Sequence, residues 1–198
     1  LDACPDLQAS GFGTAAELFA GTVPAGGLKC RSLTLAPGTY LMTGTSSSGR
    51  GLRDATTGAQ ICHAIYESDD RCQVTGGVYS LLVGASDYEK ASYAVAMVDL
   101  NGTAGCTDVA STSWTAAAMT VGPLTDSQWD CHLLTADPGD RVVVDADSGV
   151  YESPVHLLVL DSAGESACPE VSQTLGCTLI GTGPYRIVTG DDVGYRVA

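Results

Sequence analysis

The chain has 198 residues, of which 44% are hydrophobic and 16% are charged, and its formal net charge at pH 7 is −14. This length fits one large domain or two domains of about 100 residues each, and the apolar content excludes disorder as the main state. The negative charge repels a phosphate backbone, so we predict no nucleic-acid binding. The longest apolar stretches, such as 79–83, are far shorter than the roughly 18 to 20 residues of a membrane-spanning helix, so we predict no membrane span.

The first half of the chain is predicted to consist of short strands separated by turns. A single helical turn is expected over 15–19. A hairpin-like corner is expected from Ala36 to Thr39, because Pro37 and Gly38 are typical turn residues. The predicted strands lie on either side of this corner, up to residue 35 and over 40–42, and then at 60–66, 78–84 and 93–100.

The second half of the chain repeats this pattern. A corner is expected from Asp137 to Asp140, again around a Pro-Gly pair, and strands are expected at 133–136, 141–144, 155–160, 184–189 and 195–198. The three consecutive valines at 142–144 favour a central strand or a sheet buried on both faces. The chain is therefore predicted to be all-β, with two homologous tandem β-sandwich modules of jelly-roll type.

The eight cysteines fall into two sets of four with similar spacing. The intervals contain 25, 31 and 9 residues in the first set and 24, 36 and 8 in the second, and the sets are Cys4, Cys30, Cys62 and Cys72 against Cys106, Cys131, Cys168 and Cys177. We interpret this as an internal repeat with modules at 1–104 and 105–198. The closest cysteines are too far apart for a typical zinc knuckle, so disulfides are favoured.

Closure of identical modules within themselves leaves three possible disulfide pairings. Local pairing is the simplest of the three, and it joins Cys4 to Cys30, Cys62 to Cys72, Cys106 to Cys131 and Cys168 to Cys177. Disulfides persist in oxidising compartments, so we predict a secreted or cell-surface protein whose chain begins here within the mature sequence. The scarcity of Lys and Asn beside abundant Ala, Gly, Asp, Thr and Val is typical of proteins from high-GC bacterial genomes.

The repeat also predicts which residues occupy equivalent positions in the two sandwich cores. Inward-facing residues fix the register of a strand, so they are expected to match between modules. We expect Leu33, Tyr40, Tyr79, Leu81 and Tyr93 to correspond to Leu134, Arg141 or its neighbour Val142, Tyr185, Ile187 and Tyr195. Tyr79 and Tyr185 each follow a glycine by two residues, and each is expected to bury its ring and hydrogen-bond its hydroxyl.

Each module resembles the bacterial pre-peptidase C-terminal (PPC) domain in three features. These are the strand order, the Pro-Gly corner, and the Gly-x-Tyr and Tyr-x-Val strands near the end of the module. The resemblance covers about 28–99 and 129–198. It implies a secreted β-sandwich module attached to a hydrolase, with extracellular polysaccharide or protein as its partner. The four cysteines of each module depart from the usual pattern of that family.

No residue set indicates catalysis. The histidines His63, His132 and His156 are not matched between modules, and no G-x-S-x-G turn for a nucleophilic serine is present. A pocket that placed one of these histidines beside a carboxylate would favour an enzyme. We therefore predict no catalytic residues.

Two kinds of binding residue remain. Calcium takes oxygen ligands from loops, and the candidates for a structural calcium site are Asp145, Asp147, Asp191 and Asp192. No other cofactor is expected. Residues 106–198 carry 13 acidic and 3 basic residues, against 10 and 6 in residues 1–105, so a cation is expected on the second module. Three tyrosines without a counterpart in the other module are candidates for ligand contacts: Tyr66, Tyr88 and Tyr151.

The sequence therefore predicts non-catalytic extracellular modules of a larger secreted or surface protein, acting in adhesion, targeting or spacing. The alternative is a carbohydrate- or matrix-binding unit attached to a secreted hydrolase, which an exposed row of tyrosines would favour. The Asn101-Gly-Thr103 segment fits both an N-glycosylation sequon and a turn, and we interpret it as a turn.

Overall fold

The computed structural model describes residues 4–14, 16–46, 49–64, 70–109, 119–121, 129–147, 156–168, 176–190 and 194–197. Within these ranges the regular structure is entirely β, which confirms the predicted all-β class. None of the described residues belongs to a helix with the length and hydropathy needed to cross a bilayer.

Fifteen strands are assigned within the described residues. They are β1 (Phe19–Val23), β2 (Leu28–Ser46), β3 (Arg50–Asp54), β4 (Gln60–Ala64), β5 (Asp70–Gly84), β6 (Ala91–Asp99), β7 (Thr107–Asp108), β8 (Met119–Val121), β9 (Trp129–Leu134), β10 (Arg141–Val142), β11 (Val144–Asp147), β12 (His156–Leu160), β13 (Cys177–Thr178), β14 (Tyr185–Gly190) and β15 (Gly194–Val197). The predicted helical turn at 15–19 is wrong, because residues 16–18 are not helical and Phe19 begins β1.

The chain divides into two compact units. Unit 1 comprises Leu1–Gly11 and Ala16–Gly102, and unit 2 comprises Phe12–Ala15 and Thr103–Ala198. The division after Gly102 lies two residues before the junction predicted from the repeat. The short segment 12–15 differs from that prediction, because it groups with the second unit.

Unit 1 is one sheet that folds onto itself, with the strand order β1-β6-β2-β5-β3-β4. The long strand β2 pairs with β5 from Leu28 to Met42 and with β6 from Tyr40 to Ser46, so it belongs to both halves of the sheet. Side chains from the two halves share one hydrophobic core. The guanidinium of Arg31 on β2, for example, lies 4.6 Å from the ring centroid of Phe19 on β1. The unit is therefore a sandwich built from one bent sheet.

The bend in β2 replaces the predicted hairpin-like corner at Ala36 to Thr39, which is wrong. The pairing with β5 continues through it, with Pro37 opposite Thr75 and Gly38 opposite Val74. Gly76 on β5 has φ +89°, and a Cβ there would lie 2.9 Å from the ring of Pro37. The proline bends the strand without reversing it because a glycine on the neighbouring strand gives its ring space.

A side-chain latch, formed by Asn101 and Asp99, holds the bend on its other side. Asn101 Oδ1 accepts a hydrogen bond of 2.6 Å from the backbone N–H of Thr39. Its Nδ2 donates to Asp99 Oδ1 at 2.6 Å, and its backbone N–H donates to the same oxygen at 2.8 Å. Gly38, with φ +147°, leaves the space that the Asn101 side chain fills, since a Cβ at position 38 would overlap it.

Unit 2 has the same strand neighbours distributed over separate sheets. Its sheets have the orders β7-β9-β14-β12, β11-β15-β8 and β10-β13. β9, β10 and β11 together occupy the place of the single strand β2, because the predicted corner at Asp137 to Asp140 is a true turn here. Val142 ends β10, Val144 begins β11 and Val143 belongs to neither strand, so the prediction of one central strand over the three valines is wrong.

The register of the central strands is the same in both units. Leu33 lies opposite Tyr79 in unit 1, and Leu134 lies opposite Tyr185 in unit 2. The neighbouring pairs match as well, with Arg31 opposite Leu81 and His132 opposite Ile187. These pairings agree with the equivalence that the sequence predicts for Leu33 with Leu134 and for Tyr79 with Tyr185.

The predicted core residues are buried in both units wherever their side chains are described. They are Leu33, Tyr40, Tyr79, Leu81, Tyr93, Leu134, Val142, Tyr185 and Ile187. Val142, and not the exposed Arg141, corresponds to Tyr40, because each of the two lies opposite the later cysteine of the second disulfide in its own unit.

The structure pairs all eight cysteines by the local scheme: Cys4 with Cys30, Cys62 with Cys72, Cys106 with Cys131 and Cys168 with Cys177. The second disulfide of each unit lies in or against its hydrophobic core. The first disulfide of each unit links the segment at the start of the unit to a central strand, which is β2 in unit 1 and β9 in unit 2. In unit 1 the N–H of Leu7 donates to the carbonyl of Ser32, and in unit 2 the N–H of Val109 donates to that of Leu133, at the same offset from the disulfide.

The β3–β4 hairpin gives a pH prediction. Hydrogen bonds from the backbone and hydroxyl of Thr57 hold the pKa of Asp54 below its usual 3.8. A lowered folded-state pKa stabilises the hairpin above pH 3.8, and this contribution is lost as the pH falls through the folded value. We expect amide protection at 54–60 to decrease with acid in the parent chain and to depend less on pH in Asp54→Asn, as hydrogen exchange can measure. An unchanged pH profile in Asp54→Asn would contradict this role.

Candidate functional site

Most of the residues predicted to bind calcium or a ligand lie outside the described part of the chain. Tyr66, Tyr151, Asp191 and Asp192 are in this group. Asp145 and Asp147 lie on β11, opposite Arg196 and Gly194 of β15. Among the described residues, no group of three or more His, Cys, Asp or Glu side chains is arranged to hold a metal ion. The calcium site therefore stays a prediction.

The three histidines lie on three different strands. His63 is exposed on β4, opposite Gly51 of β3. His156 begins β12, opposite Gly190 of β14. His132 is on β9 and is only 4% exposed, so it is the buried histidine among the two whose side chains are described. Its ring also lies beside a carboxylate.

His132 is held between a hydroxyl and a carboxylate. Its Nδ1 lies 2.7 Å from the Thr107 hydroxyl oxygen, and its Nε2 lies 3.2 Å from Asp130 Oδ2. Either the Thr107 hydroxyl or Nδ1 is the donor in the first contact, depending on the tautomer of the ring. The other carboxylate oxygen of Asp130 accepts the N–H of Cys131 at 2.9 Å.

The Cys106–Cys131 disulfide assembles this cluster. Thr107 follows Cys106, while Asp130 and His132 flank Cys131, and β7 runs parallel to β9 with Thr107 opposite His132. The sequence analysis did not identify Thr107 or Asp130. The signal that could have found them is the disulfide itself, since pairing two cysteines brings their sequence neighbours together.

A hydroxyl, an imidazole and a carboxylate in contact is the arrangement that activates a nucleophile. Two features of the cluster bear on whether it can meet a substrate. The His132 ring is 4% exposed and lies on β9 opposite Ile187, so a substrate has little access to it. The equivalent positions in unit 1 are Pro5, Lys29 and Arg31. The cluster is therefore not part of the pattern that the two units share. Its hydrogen bond fastens the edge strand β7 to β9.

Tyr185 is also a structural residue. Its ring is buried, and its hydroxyl donates to the carbonyl of Gly181 at 3.3 Å. Burial raises the pKa of this phenol, and the negative charge of Asp161 adds to the effect. The hydroxyl therefore stays protonated and serves as a donor, as predicted for this tyrosine.

Tyr88 is the one predicted ligand tyrosine that lies within the described residues. It is 92% exposed and lies in what we call the unit 1 tip, formed by residues 24–29 and 85–90. The two loops of the tip are joined by hydrogen bonds from Gly26 N–H to the Ser86 carbonyl at 2.7 Å and from Ala85 N–H to the Gly27 carbonyl at 3.1 Å.

The tip also carries Leu28, which is 59% exposed. The two lysines of the chain, Lys29 and Lys90, lie in the same two segments and are exposed. An exposed aromatic ring beside an apolar side chain and flexible cations is a surface suited to contact with another molecule.

These features define an all-β, disulfide-stabilised chain of two units. No protein-family model matches it, and no curated protein matches it. Solved structures similar to it include the CUB1-EGF-CUB2 domains of human MASP-1/3, at 10% identity and a TM-score of 0.27, covering 93% of this chain and 100% of that one. The CUB1-EGF-CUB2 domains of rat MASP-1 give 8% identity and a TM-score of 0.27, with 96% and 99% coverage.

A structure of Sulfolobus Turreted Icosahedral Virus is similar at 13% identity and a TM-score of 0.23, over 90% of this chain and 60% of that one. TM-scores of this size define neither a fold family nor an activity for the chain. The resemblance to the pre-peptidase C-terminal domain stays an interpretation of the sequence.

Proposed function

We propose that the chain is a tandem pair of homologous, non-catalytic extracellular modules of a larger secreted or surface protein, acting in adhesion, targeting or spacing. The observation that carries the proposal is the shared register of the two units, in which Leu33 faces Tyr79 as Leu134 faces Tyr185. The hydrogen bond next to the first disulfide is also shared. Duplication of one ancestral module explains both.

The shared features are architectural, whereas the reactive groups differ between the units. The Thr107, Asp130 and His132 cluster has no counterpart in unit 1, and the exposed Tyr88 belongs to unit 1 alone. Two modules that share their strand framework and differ in their surface residues are typical of proteins that hold other domains apart or present binding surfaces. The four disulfides within units support an oxidising, extracellular location.

The test compares the full chain with His132→Gln and Asp130→Asn in assays of ester, peptide and glycoside hydrolysis. Thermal melting of each protein shows whether it is folded. The proposal expects no hydrolysis that depends on these two residues. Turnover by the parent chain that disappears in a variant with a cooperative melt would overturn it.

A second candidate function is carbohydrate binding by the unit 1 tip, which belongs to the alternative that the sequence predicts. The exposed ring of Tyr88 favours it. Replacing Tyr88 by alanine is expected to weaken retention on an insoluble polysaccharide by about tenfold or more, since truncating a contact aromatic typically costs over about 1.4 kcal/mol. Val78→Ala, which shortens an exposed side chain on β5, is the control. Equal retention of the two variants would contradict a role for the tip.

A further inference from the structure

Asn101 is the one asparagine in the 198 residues, and it is followed by glycine. In an Asn-Gly sequence the backbone nitrogen of the glycine can attack the side-chain amide carbon, because glycine has no side chain to crowd the approach. Both residues are exposed at the end of unit 1. The chain therefore contains one sequence position at which this reaction is chemically favoured.

The fold opposes the reaction by holding both ends of the amide. The Oδ1 atom is fixed by the N–H of Thr39, and the Nδ2 atom is fixed by Asp99. Rotation of the side-chain amide breaks these hydrogen bonds, so the two contacts restrict the approach of Cγ to the nitrogen of Gly102. One of the two has a charged acceptor, which makes it the stronger kind.

We propose that Asn101 is a spontaneous modification site whose amide the latch protects, and whose deamidation releases the bend of β2. In the reaction the Gly102 nitrogen loses its proton and bonds to Cγ of Asn101, and ammonia leaves. Water then opens the resulting succinimide at one of its two carbonyls. The products are aspartate, or isoaspartate with the main chain rerouted through Cγ.

Both products disrupt the latch. An aspartate at position 101 keeps its backbone N–H but has no side-chain N–H donor for Asp99, and it places a second carboxylate where the amide nitrogen now lies 2.6 Å from Asp99 Oδ1. Two carboxylates at that distance repel each other. Isoaspartate adds a backbone atom next to the division between the units, and this shifts the oxygen that receives the Thr39 N–H. The bend at Gly38 and Thr39 then loses the hydrogen bond from Asn101 and keeps the one between the hydroxyl of Thr39 and Gln73.

The experiment follows the conversion by intact mass and by mapping of the peptide that contains residue 101. Folded parent chain, denatured parent chain, Asp99→Ala and the control Asp87→Ala are incubated at mildly alkaline pH. Asp87 is an exposed acid in the unit 1 tip, so both variants lose the same charge. We expect Asp99→Ala to convert about tenfold faster than the folded parent, since the side-chain amide of Asn101 then loses its charged acceptor. Asp87→Ala is expected to match the parent.

A second measurement compares the melting temperature of Asn101→Asp, which has the aspartate product at position 101, with that of the parent. Asn101→Asp is expected to melt below the parent at neutral pH, and the difference is expected to shrink as the carboxylates become protonated in acid. Three results would overturn the proposal: equal conversion of folded and denatured parent, equal conversion of Asp99→Ala and Asp87→Ala, or the same melting temperature for Asn101→Asp and the parent at neutral pH.

Discussion

Replacing Tyr79 by alanine is expected to lower the free energy of unfolding of unit 1 by about 3 to 5 kcal/mol. Tyr79 is 1% exposed and lies at the centre of the sheet, opposite Leu33 of β2 and Asp54 of β3. Removing its ring leaves a cavity that neighbouring strands cannot fill. Calorimetry of the full chain, with hydrogen exchange to locate the loss of protection on β2, β3 and β5, measures the effect.

Tyr79→Phe is the matched control, because it keeps the ring and removes the hydroxyl alone. It is expected to lower the melting temperature far less than Tyr79→Ala. Tyr185→Ala is expected to lower protection on β9, β12 and β14 of unit 2, since Tyr185 occupies the equivalent register position. Unchanged protection after either alanine substitution would show that the tyrosine is not a core residue.

Removing the Cys62–Cys72 disulfide by a double substitution to alanine is expected to destabilise unit 1 by about 2 to 5 kcal/mol. The link joins β4 to β5, two strands that are not hydrogen-bonded neighbours in the sheet. Both sulfurs also pack in the hydrophobic core. The loss therefore combines a less restricted unfolded chain with a core defect, and calorimetry under non-reducing conditions measures it.

The corresponding double substitution at Cys168 and Cys177 is the control for location. It is expected to destabilise unit 2, where that disulfide packs against Tyr185 and Ile187 in the same cluster. Hydrogen exchange should therefore place the two losses of protection in different units. If the Cys62 and Cys72 substitutions left the protection of β4 and β5 unchanged, the disulfide would not support that part of the fold.

The features that the sequence predicts well are those that occur twice. Leu33 and Leu134 each follow a cysteine by three residues, and Tyr79 and Tyr185 each follow a glycine by two. The register of the sheets agrees with the alignment that these two spacings give. Local pairing of the cysteines follows from the same repeat. A pattern that two segments share is easier to distinguish from chance than a single short strand, which explains why β1 and β3 were not predicted.

The bend in β2 could not be predicted because its cause lies on other strands. Pro37 and Gly38 are typical turn residues, and their counterparts in unit 2 do form a turn, in which the N–H of Asp140 donates to the carbonyl of Asp137. In unit 1 the space beside Gly76 and the latch from Asn101 keep the strand paired beyond the proline. Both partners are more than 35 residues away in sequence, and local turn chemistry contains no information about them.

The surroundings of His132 were missed for a related reason. His132 has no matching histidine in the first module, and a comparison of single positions between modules does not show what the disulfide brings near it. Thr107 is 25 residues from His132 along the chain. Reading the neighbours of each paired cysteine together would have placed Thr107, Asp130 and His132 in one cluster.

Peptide mapping of the full chain under non-reducing conditions tests most directly whether it consists of two separately cross-linked modules. The chain is secreted into an oxidising compartment, its free thiols are blocked at low pH, and the disulfide-linked peptides are identified by mass. We predict four linked pairs, all within units, at Cys4–Cys30, Cys62–Cys72, Cys106–Cys131 and Cys168–Cys177, with no blocked thiol. A peptide linking a cysteine of residues 1–102 to one of 103–198, or a stoichiometric free thiol, would contradict the account.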